Sequence, residues 1–573
     1  MPYLADATSL AKLFQLSCRH WGEKTAHIVL KGSTRTEISF REVYEASYQM
    51  ARVLHKRGLT RGDMICVYSE NCQEWAILDW ACQTLGIVLV PVYPTLTGEQ
   101  AQFIAEDCAA KLFVVGSTGH RDRVADLLKI PLVMLKGAEG SLESELGSGD
   151  LTKEQWEAEI DAAKMDDLAT LIYTSGTTGN PKGAVLTHEA FAFLVKNVGQ
   201  TLPVDHTDTF ICWLPLAHVY ERFAGHVLPT CIGATIGYAQ SLASMAKDIQ
   251  DIKPTIFLSV PRFLDSLREK IVDGVAKAPP IRQKLFALAL SQGTKKVRGE
   301  FAPLFPLTDK LVGSKIRERT GGRLKFFVSG GAALPMGTYE FLGSFGILVL
   351  QGYGLTETCA ASSFNPPTDN KPHSIGIPVH GLEMKIAEDG EILIRGKSVM
   401  KGYWNQPEAT AECIDADGWF HTGDIGKIDG HHFQITDRKK DIIVLENGKN
   451  VAPQPIENML RETRSIKEIV LFGDGQPLIA AMIMPDWAHL ETDHGIKGDP
   501  ATLLSDDRVR AVVKADVDSV NKRIADYEKV KRFELSDAEF SIETGELTPK
   551  MSIKRKVVKE KYSDLVKRLF REA

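Results

Sequence analysis

The chain has 573 residues, 44% of them apolar and 25% charged, with a formal net charge of −6. That length calls for more than one domain, and the composition excludes collagen-like, coiled-coil and largely disordered chains. The near-balanced charge gives no support to a dedicated nucleic-acid binder, and nine scattered cysteines without a CxxC pair argue against a disulfide framework or structural zinc and for a reducing compartment.

In chain order, the opening MPYLADATSLAKLFQ lacks the basic segment and apolar run of a secretory signal. Residues 40–57 have helical amphipathic spacing, with Gly58 as the stop. A buried strand at 63–68, a helix near 74–85, a strand at 88–92 and a helix at 99–109 follow, an alternation that predicts parallel α/β layers. The apolar stretch 75–91 is interrupted by Asp79, Gln83 and Gly86 and is too short to span a bilayer. No repeat of solenoid length is visible. Residues 137–150 are small, polar and acidic, and read as a surface loop. Residues 276–322 read as a helical excursion from the α/β body, with a basic run before Gly321 and Gly322. From Asp437 the chain turns Lys/Arg-rich and carries new strands at 468–473 and 478–484. The expectation is an α/β domain over 1–436 and a smaller α+β domain over 437–573.

The strongest chemical signal is 173–183, YTSGTTGNPKG, with three glycines, five hydroxyl groups and one lysine in eleven residues. Glycines let the backbone approach an anion, hydroxyls and amides donate to it, and Lys182 adds a charge, so phosphate is the natural guest. A Walker A loop would open a helix. Here Pro181 precedes Lys182, Gly183 follows it, and 184–187 reads as a strand, so the loop joins two strands. A flexible Gly/Thr surface hairpin is the alternative on composition alone.

The whole string resembles the phosphate-binding loop of the acyl-adenylate-forming superfamily, and three further stretches match that family's motifs in order: 351–358 (QGYGLTET), 390–410 (GEILIRGKSVMKGYWNQPEAT) and 417–441 (DGWFHTGDIGKIDGHHFQITDRKKD). The segment 214–222 (LPLAHVYER), the helical excursion and the extra residue in 445–450 (LENGKN) resemble the long-chain fatty acyl-CoA synthetase branch. No Asp lies in 214–222 to hold a substrate ammonium, which favours a fatty carboxylate over an amino acid.

The resemblance implies a large α/β AMP-binding domain with a small mobile lid, and ATP, Mg²⁺ and coenzyme A as cofactors and substrates. It implies that Thr174 and Glu357 hold magnesium, oxygen donors suited to a hard cation. Lys182 and the loop residues Ser175, Gly176, Thr177, Thr178 and Gly179 would cradle phosphates. Gly330, Gly331, Gln351, Gly352, Tyr353, Gly354 and Thr356 would form the adenine slot. Asp424 would accept the ribose hydroxyls with Arg438 assisting, and Lys440 would be the hinge. His218 is expected to bind at the junction of acyl chain and ATP, and not to transfer protons. Trp213 reads either as an acyl-tunnel wall or as a core tryptophan. The family's C-terminal lysine falls on Ser552 here, with Lys550 and Lys554 flanking it as candidates for its charge.

The C-terminal stretch 554–573 is basic, with Val558, Tyr562, Leu565, Val566, Leu569 and Phe570 at helical spacing. It reads either as a helix lying on an anionic membrane surface or as one packed on its own domain. The implied activity is adenylation of a long-chain fatty acid followed by transfer to coenzyme A, in the cytoplasm or peripherally at the inner face of a membrane. The rivals are loading of an acyl carrier protein and a non-catalytic acyl or nucleotide binding module.

Overall fold

A computed structural model describes residues 2–174, 181–541, 544–547 and 553–571. The first elements form where local signals place them. Ser39 caps the helix Phe40–Lys56: its hydroxyl accepts the Glu42 N–H at 3.2 Å, and the Glu42 carboxylate accepts the Ser39 N–H at 2.7 Å. Strand Met64–Tyr68, helix Gln73–Leu85, strand Val88–Val92 and helix Gly98–Asp107 follow as the apolar spacing predicts.

The chain divides into two compact units, Met1–Lys385 with Leu393–His421, and Ile386–Ile392 with Thr422–Ala573. The break expected after residue 436 falls inside strand His432–Arg438. That strand pairs antiparallel with Phe420–Asp429, Asp424 opposite Arg438 and Asp429 opposite His432, and a ladder of hydrogen bonds keeps these residues in one unit.

The first unit holds two sheets. One orders its six described strands Leu132–Met134, Leu112–Val115, Met64–Tyr68, Val88–Val92, Leu168–Thr174 and Lys182–Thr187. All neighbours are parallel except the last pair. The other has nine described strands, with Thr209–Cys212, Ile256–Ser259, Phe326–Ser329 and Val349–Tyr353 running parallel through its middle. Their side chains alternate: Leu258 and Val328 enter one core with Tyr220 and Phe223, whereas Phe257 and Phe327 enter another with Leu342 and Phe345. Helices cover both faces, which is why these strands are apolar throughout.

In the second unit, strands Ile466–Phe472, Ile479–Pro485 and Val530–Leu535 form one sheet. One face (Ile469, Leu471, Ala481, Ile483) packs under helices Pro453–Arg461 and Asp507–Asn521. The other (Val470, Phe472, Ala480, Met482) packs under the C-terminal helices Arg555–Lys561 and Ser563–Phe570. All six apolar residues of the C-terminal pattern join that core. Its amphipathic face is therefore used inside the unit, and the membrane-lying alternative loses its apolar stripe.

Candidate active site

Thr174 and Lys182 end and begin paired strands, one opposite the other, and the Thr174 hydroxyl donates to the Lys182 carbonyl at 3.4 Å. Ser175, Gly176, Thr177, Thr178 and Gly179, the loop between them, lie outside the described residues. The free edge of strand Lys182–Thr187 is held by residues 401–404. Lys401 N–H donates to the Val185 carbonyl, Val185 N–H to Gly402 and Trp404 N–H to Gly183, at 2.8–3.0 Å.

This pairing brings Tyr403 over Lys182, whose Nζ lies 5.2 Å from the ring centre. The Tyr403 phenol donates to Glu357 Oε1 at 2.7 Å. Burial, with the Glu357 carboxylate beside it, pushes the phenol well above its usual range, so it stays a donor. The Met400 N–H fixes the Glu357 backbone carbonyl at 2.7 Å. Two further contacts brace the hairpin: Tyr173 donates to Asp107 Oδ2 at 2.5 Å, and the Trp404 indole donates to the Asp107 carbonyl at 3.2 Å. Lys182, Tyr403 and Glu357 thus form one linked set, with Thr174 across the hairpin from Lys182. Tyr403 carries no role in the sequence reading. Its only signal was its place in the 390–410 motif, between Gly402 and Trp404.

These groups fit a magnesium–nucleotide. Tyr403 occupies one oxygen of Glu357, and the remaining donors are a carboxylate oxygen and the Thr174 hydroxyl, hard ligands of the kind Mg²⁺ takes. The residues expected at the adenine slot lie at the C-terminal ends of neighbouring parallel strands, where nucleotides bind in open α/β sheets. Gly330 receives its place from an N–H bond to the Ser259 carbonyl at 3.1 Å. A Cβ on Gly354 would stand 2.0 Å from the Ala360 carbonyl oxygen, so the turn admits only glycine there. Beyond the short helical turn Thr356–Thr358, Cys359 and Ala360 both take positive φ, at 56° and 79°, a strained pair beside Glu357. Gln351 is buried and spends its amide on the backbone, accepting from Leu334 N–H at 3.0 Å and donating to the Pro372 carbonyl, so it ties these two loops to the strand end.

His218 caps a helical run over 219–232, its Nδ1 accepting the Tyr220 N–H at 3.0 Å. Asn71 pins the preceding turn through Leu214 and Leu216 at 2.6 and 2.8 Å. The run contains a π-helical segment, Arg222–Val227, just before Pro229, which has no N–H to offer the Gly225 carbonyl one turn back. Arg222 is fully buried and grips Asp79 with two bonds of 2.6 and 3.0 Å, and His226 lies 3.3 Å from the same carboxylate. Burial alone would raise Asp79, but Arg222 and His226 outweigh it and hold the carboxylate well below its usual range. Glu221 beside them is fully buried, and burial, outweighing the Cys212 thiol and the Trp213 and Leu214 N–H groups near its carboxyl, pushes it up to about 8.

The opposite face of this run walls an apolar cavity of about 30 Å³, lined by Tyr220, Phe223 and Ala224 together with Leu258, Val328 and Phe364. Its volume admits about one water. Trp213 is not part of it. It packs 4.8 Å from Phe263, with Phe257 on the other face of the sheet, and its indole donates to the Leu258 carbonyl at 2.7 Å, the core alternative of the sequence reading.

In the second unit, Asp424 is buried and its Oδ1 lies 3.2 Å from Arg438 Nε, so the two residues expected at the ribose are brought together. Lys440 sits in the turn that follows, closed by N–H bonds from Asp441 and Ile442 to the Arg438 carbonyl at 2.9 and 3.1 Å. Lys554 precedes helix Arg555–Lys561, its N–H bonded to the Glu546 carbonyl at 2.7 Å. Lys550 and Ser552 lie outside the described residues.

Comparison with known proteins agrees with this arrangement. Residues 14–404 match the AMP-binding enzyme family and residues 440–573 the AMP-binding enzyme C-terminal domain. The chain is 33% identical to long-chain-fatty-acid–CoA ligase FadD15 of Mycobacterium bovis, over 93% of this chain and 92% of that protein. It is 32% identical to peroxisomal long chain acyl-CoA synthetase 6 of Arabidopsis thaliana, over 93% and 82%. Among solved structures, ATP-bound MatB from Rhodopseudomonas palustris superposes with a TM-score of 0.71 at 23% identity, covering 97% and 99% of the two chains. O-succinylbenzoate coenzyme A synthetase from Bacillus subtilis with AMP gives 0.72 at 22%, covering 96% and 98%. With the family match over residues 14–404 and 440–573 and these relatives together, the chain belongs to the AMP-binding enzyme family, in its long-chain fatty acyl-CoA synthetase branch.

Proposed function

We infer that this protein is an ATP-dependent long-chain fatty acid–CoA ligase. The observation that carries the reading is the linked set Lys182–Tyr403–Glu357, a cation beside an anchored carboxylate, in the same unit as a cavity lined almost wholly by carbon. In the first step a carboxylate oxygen of the fatty acid attacks the α-phosphorus of ATP, and the bond to pyrophosphate breaks, giving acyl-AMP. In the second the coenzyme A sulfur attacks the acyl carbon, AMP leaves and the thiol proton is lost. Adenylation turns a poor leaving group into a good one, so no protein nucleophile is needed.

Lys182 sits to offset phosphate charge, and the donors suited to magnesium are Glu357 and Thr174. The ion would supply electrostatic stabilisation of the phosphate oxygens. Tyr403 keeps Glu357 oriented through its hydrogen bond. His218, fixed by the Tyr220 N–H, borders the acyl end; Asp424 and Arg438 bind ribose. Lys550 or Lys554 supplies the cation at the α-phosphate, and the turn at Lys440 is the hinge between half-reactions. The closed cavity has to open for an acyl chain, and the π-helical wall with Ala224 and Phe223 is the part built to give. The substrate is membrane-soluble, so the working place is the cytoplasmic side of a bilayer, reached peripherally. Pyrophosphate release on a panel of C2 to C20 acids tests the reading: long acids should lead, and a preference for acetate or for amino acids would refute it.

A further inference from the structure

Residues 276–322 carry ten Lys or Arg against three Asp or Glu, a net +7 inside a chain of net −6. The same stretch exposes apolar side chains. Six of the thirteen large exposed apolar residues among those described fall here, led by Phe301 at 84%, Ile281 at 78% and Leu307 at 57%. They are not scattered. On helix Pro280–Val297, Ile281, Lys284, Leu288 and Lys295 recur at spacings of three, four and seven and share one side, while Ala289 and Gly293 are buried on another. After the turn at Gly299, Leu304, Leu307 and Leu311 repeat the pattern. Lys277, Arg282, Lys284, Lys295, Lys296 and Lys310 are exposed and have no ion pair among the described residues.

We propose that this helical excursion is the face by which the protein docks on an anionic lipid bilayer, with Phe301, Ile281 and Leu307 entering the headgroup–acyl boundary and the lysines meeting lipid phosphates. Apolar side chains interleaved with unpaired cations are the pattern that interfacial binding uses. A protein partner of ordinary surface would not favour six unpaired cations, and a nucleic acid would leave the apolar residues in water. The position in the chain adds a second reason. The excursion leaves from strand Ile256–Ser259 and returns as strand Phe326–Ser329, and Leu258 and Val328 of those strands line the apolar cavity. A bilayer seated here touches a connection whose two ends are cavity walls. This proposal rests on the fatty-acid reading for its purpose, but its test does not.

The test is co-sedimentation of the full chain with vesicles of phosphatidylcholine, with or without about a third phosphatidylglycerol, in the absence of substrates. Binding should require the anionic lipid and weaken steeply at high salt. Two double variants separate the contributions: Ile281→Ser with Phe301→Ser, and Lys284→Gln with Lys295→Gln. Each should lower partitioning roughly tenfold or more, the second only at low salt. Both should adenylate a water-soluble C8 acid as the parent does, because none of the four residues lies in the catalytic or cavity set. Vesicle binding that is lost in the variants while no variant or parent adenylates anything would sustain the docking face and sink the ligase reading. Equal binding to neutral vesicles, unaltered binding of both variants, a gel shift with duplex DNA in place of vesicle binding, or a dimer dissolved by Phe301→Ser would overturn the docking proposal.

Discussion

Tyr403 ties the cationic and acidic halves of the site together, its ring beside Lys182 and its phenol donating to the Glu357 carboxylate. Removing it in Tyr403→Phe keeps the ring over Lys182 but frees the carboxylate. A hydrogen bond to a charged group is worth about 1.5–3 kcal/mol, so adenylation should fall by about tenfold or more. Thioester formation from supplied acyl-AMP should be unchanged, and equal loss of both steps would count against the role given to Tyr403. Glu357→Gln should cut deeper, because it weakens a hard-cation ligand outright. Pyrophosphate release at saturating Mg²⁺ equal to the parent's would remove Glu357 from the metal site. Glu221 makes a different prediction, about stability. Its folded pKa of about 8 lies above the usual 4.5, so between those values the unfolded chain sheds a proton that the folded chain keeps. Stability is therefore lost as pH rises through this window, by at most about 1.4 kcal/mol per pH unit. Glu221→Gln, isosteric with the protonated acid, should gain in denaturant midpoint relative to the parent between pH 6 and pH 8. A gap that stays constant would show that Glu221 is ionised in the fold.

At the scale of elements, the helix over 219–232 joins the two halves of the site. Its N-terminus places His218, its buried side holds Arg222 on Asp79, and Phe223 and Ala224 wall the cavity. Filling that wall with Ala224→Phe should shorten the accepted acid: C16 should lose about tenfold or more in kcat/KM while C8 is kept, since each methylene in an apolar pocket is worth about 1–3 kcal/mol. A parallel loss for both lengths would place the acyl chain elsewhere. The periodic elements were legible because apolar spacing and caps act locally: Ser39 and Glu42 announce a helix start wherever they stand three apart. The π-helical turn was not, because its cause is a hydrogen bond that Pro229 cannot make to a carbonyl one turn back. Tyr403 was missed for a related reason. Only the pairing of residues 401–404 with strand Lys182–Thr187 brings it to Lys182, and strand pairing between distant segments leaves no periodic trace. The C-terminal helix left two readings open, because an amphipathic stripe is compatible both with a bilayer and with the sheet it covers here.

At the scale of the whole molecule, the change to Lys/Arg-rich sequence at 437 falls inside the second unit, which takes in Ile386–Ile392 and runs on from Thr422, because residues 424–429 pair with 432–438 and strand pairing leaves no mark on composition. The turn at Lys440 follows the Asp424–Arg438 pair, and a ligase that reuses one site for two reactions has to change φ and ψ somewhere near it. Lys440→Pro fixes φ near −65° and should spare one half-reaction while stopping the other. Equal loss of both would argue against an alternating lid. The most direct measurement concerns the order of bond-breaking itself. Isotope exchange between pyrophosphate and ATP should appear with a long-chain acid present and coenzyme A absent, and adding coenzyme A should then yield acyl-CoA and AMP in equal amounts. Release of ADP, or exchange that never appears without coenzyme A, would contradict an acyl-adenylate ligase.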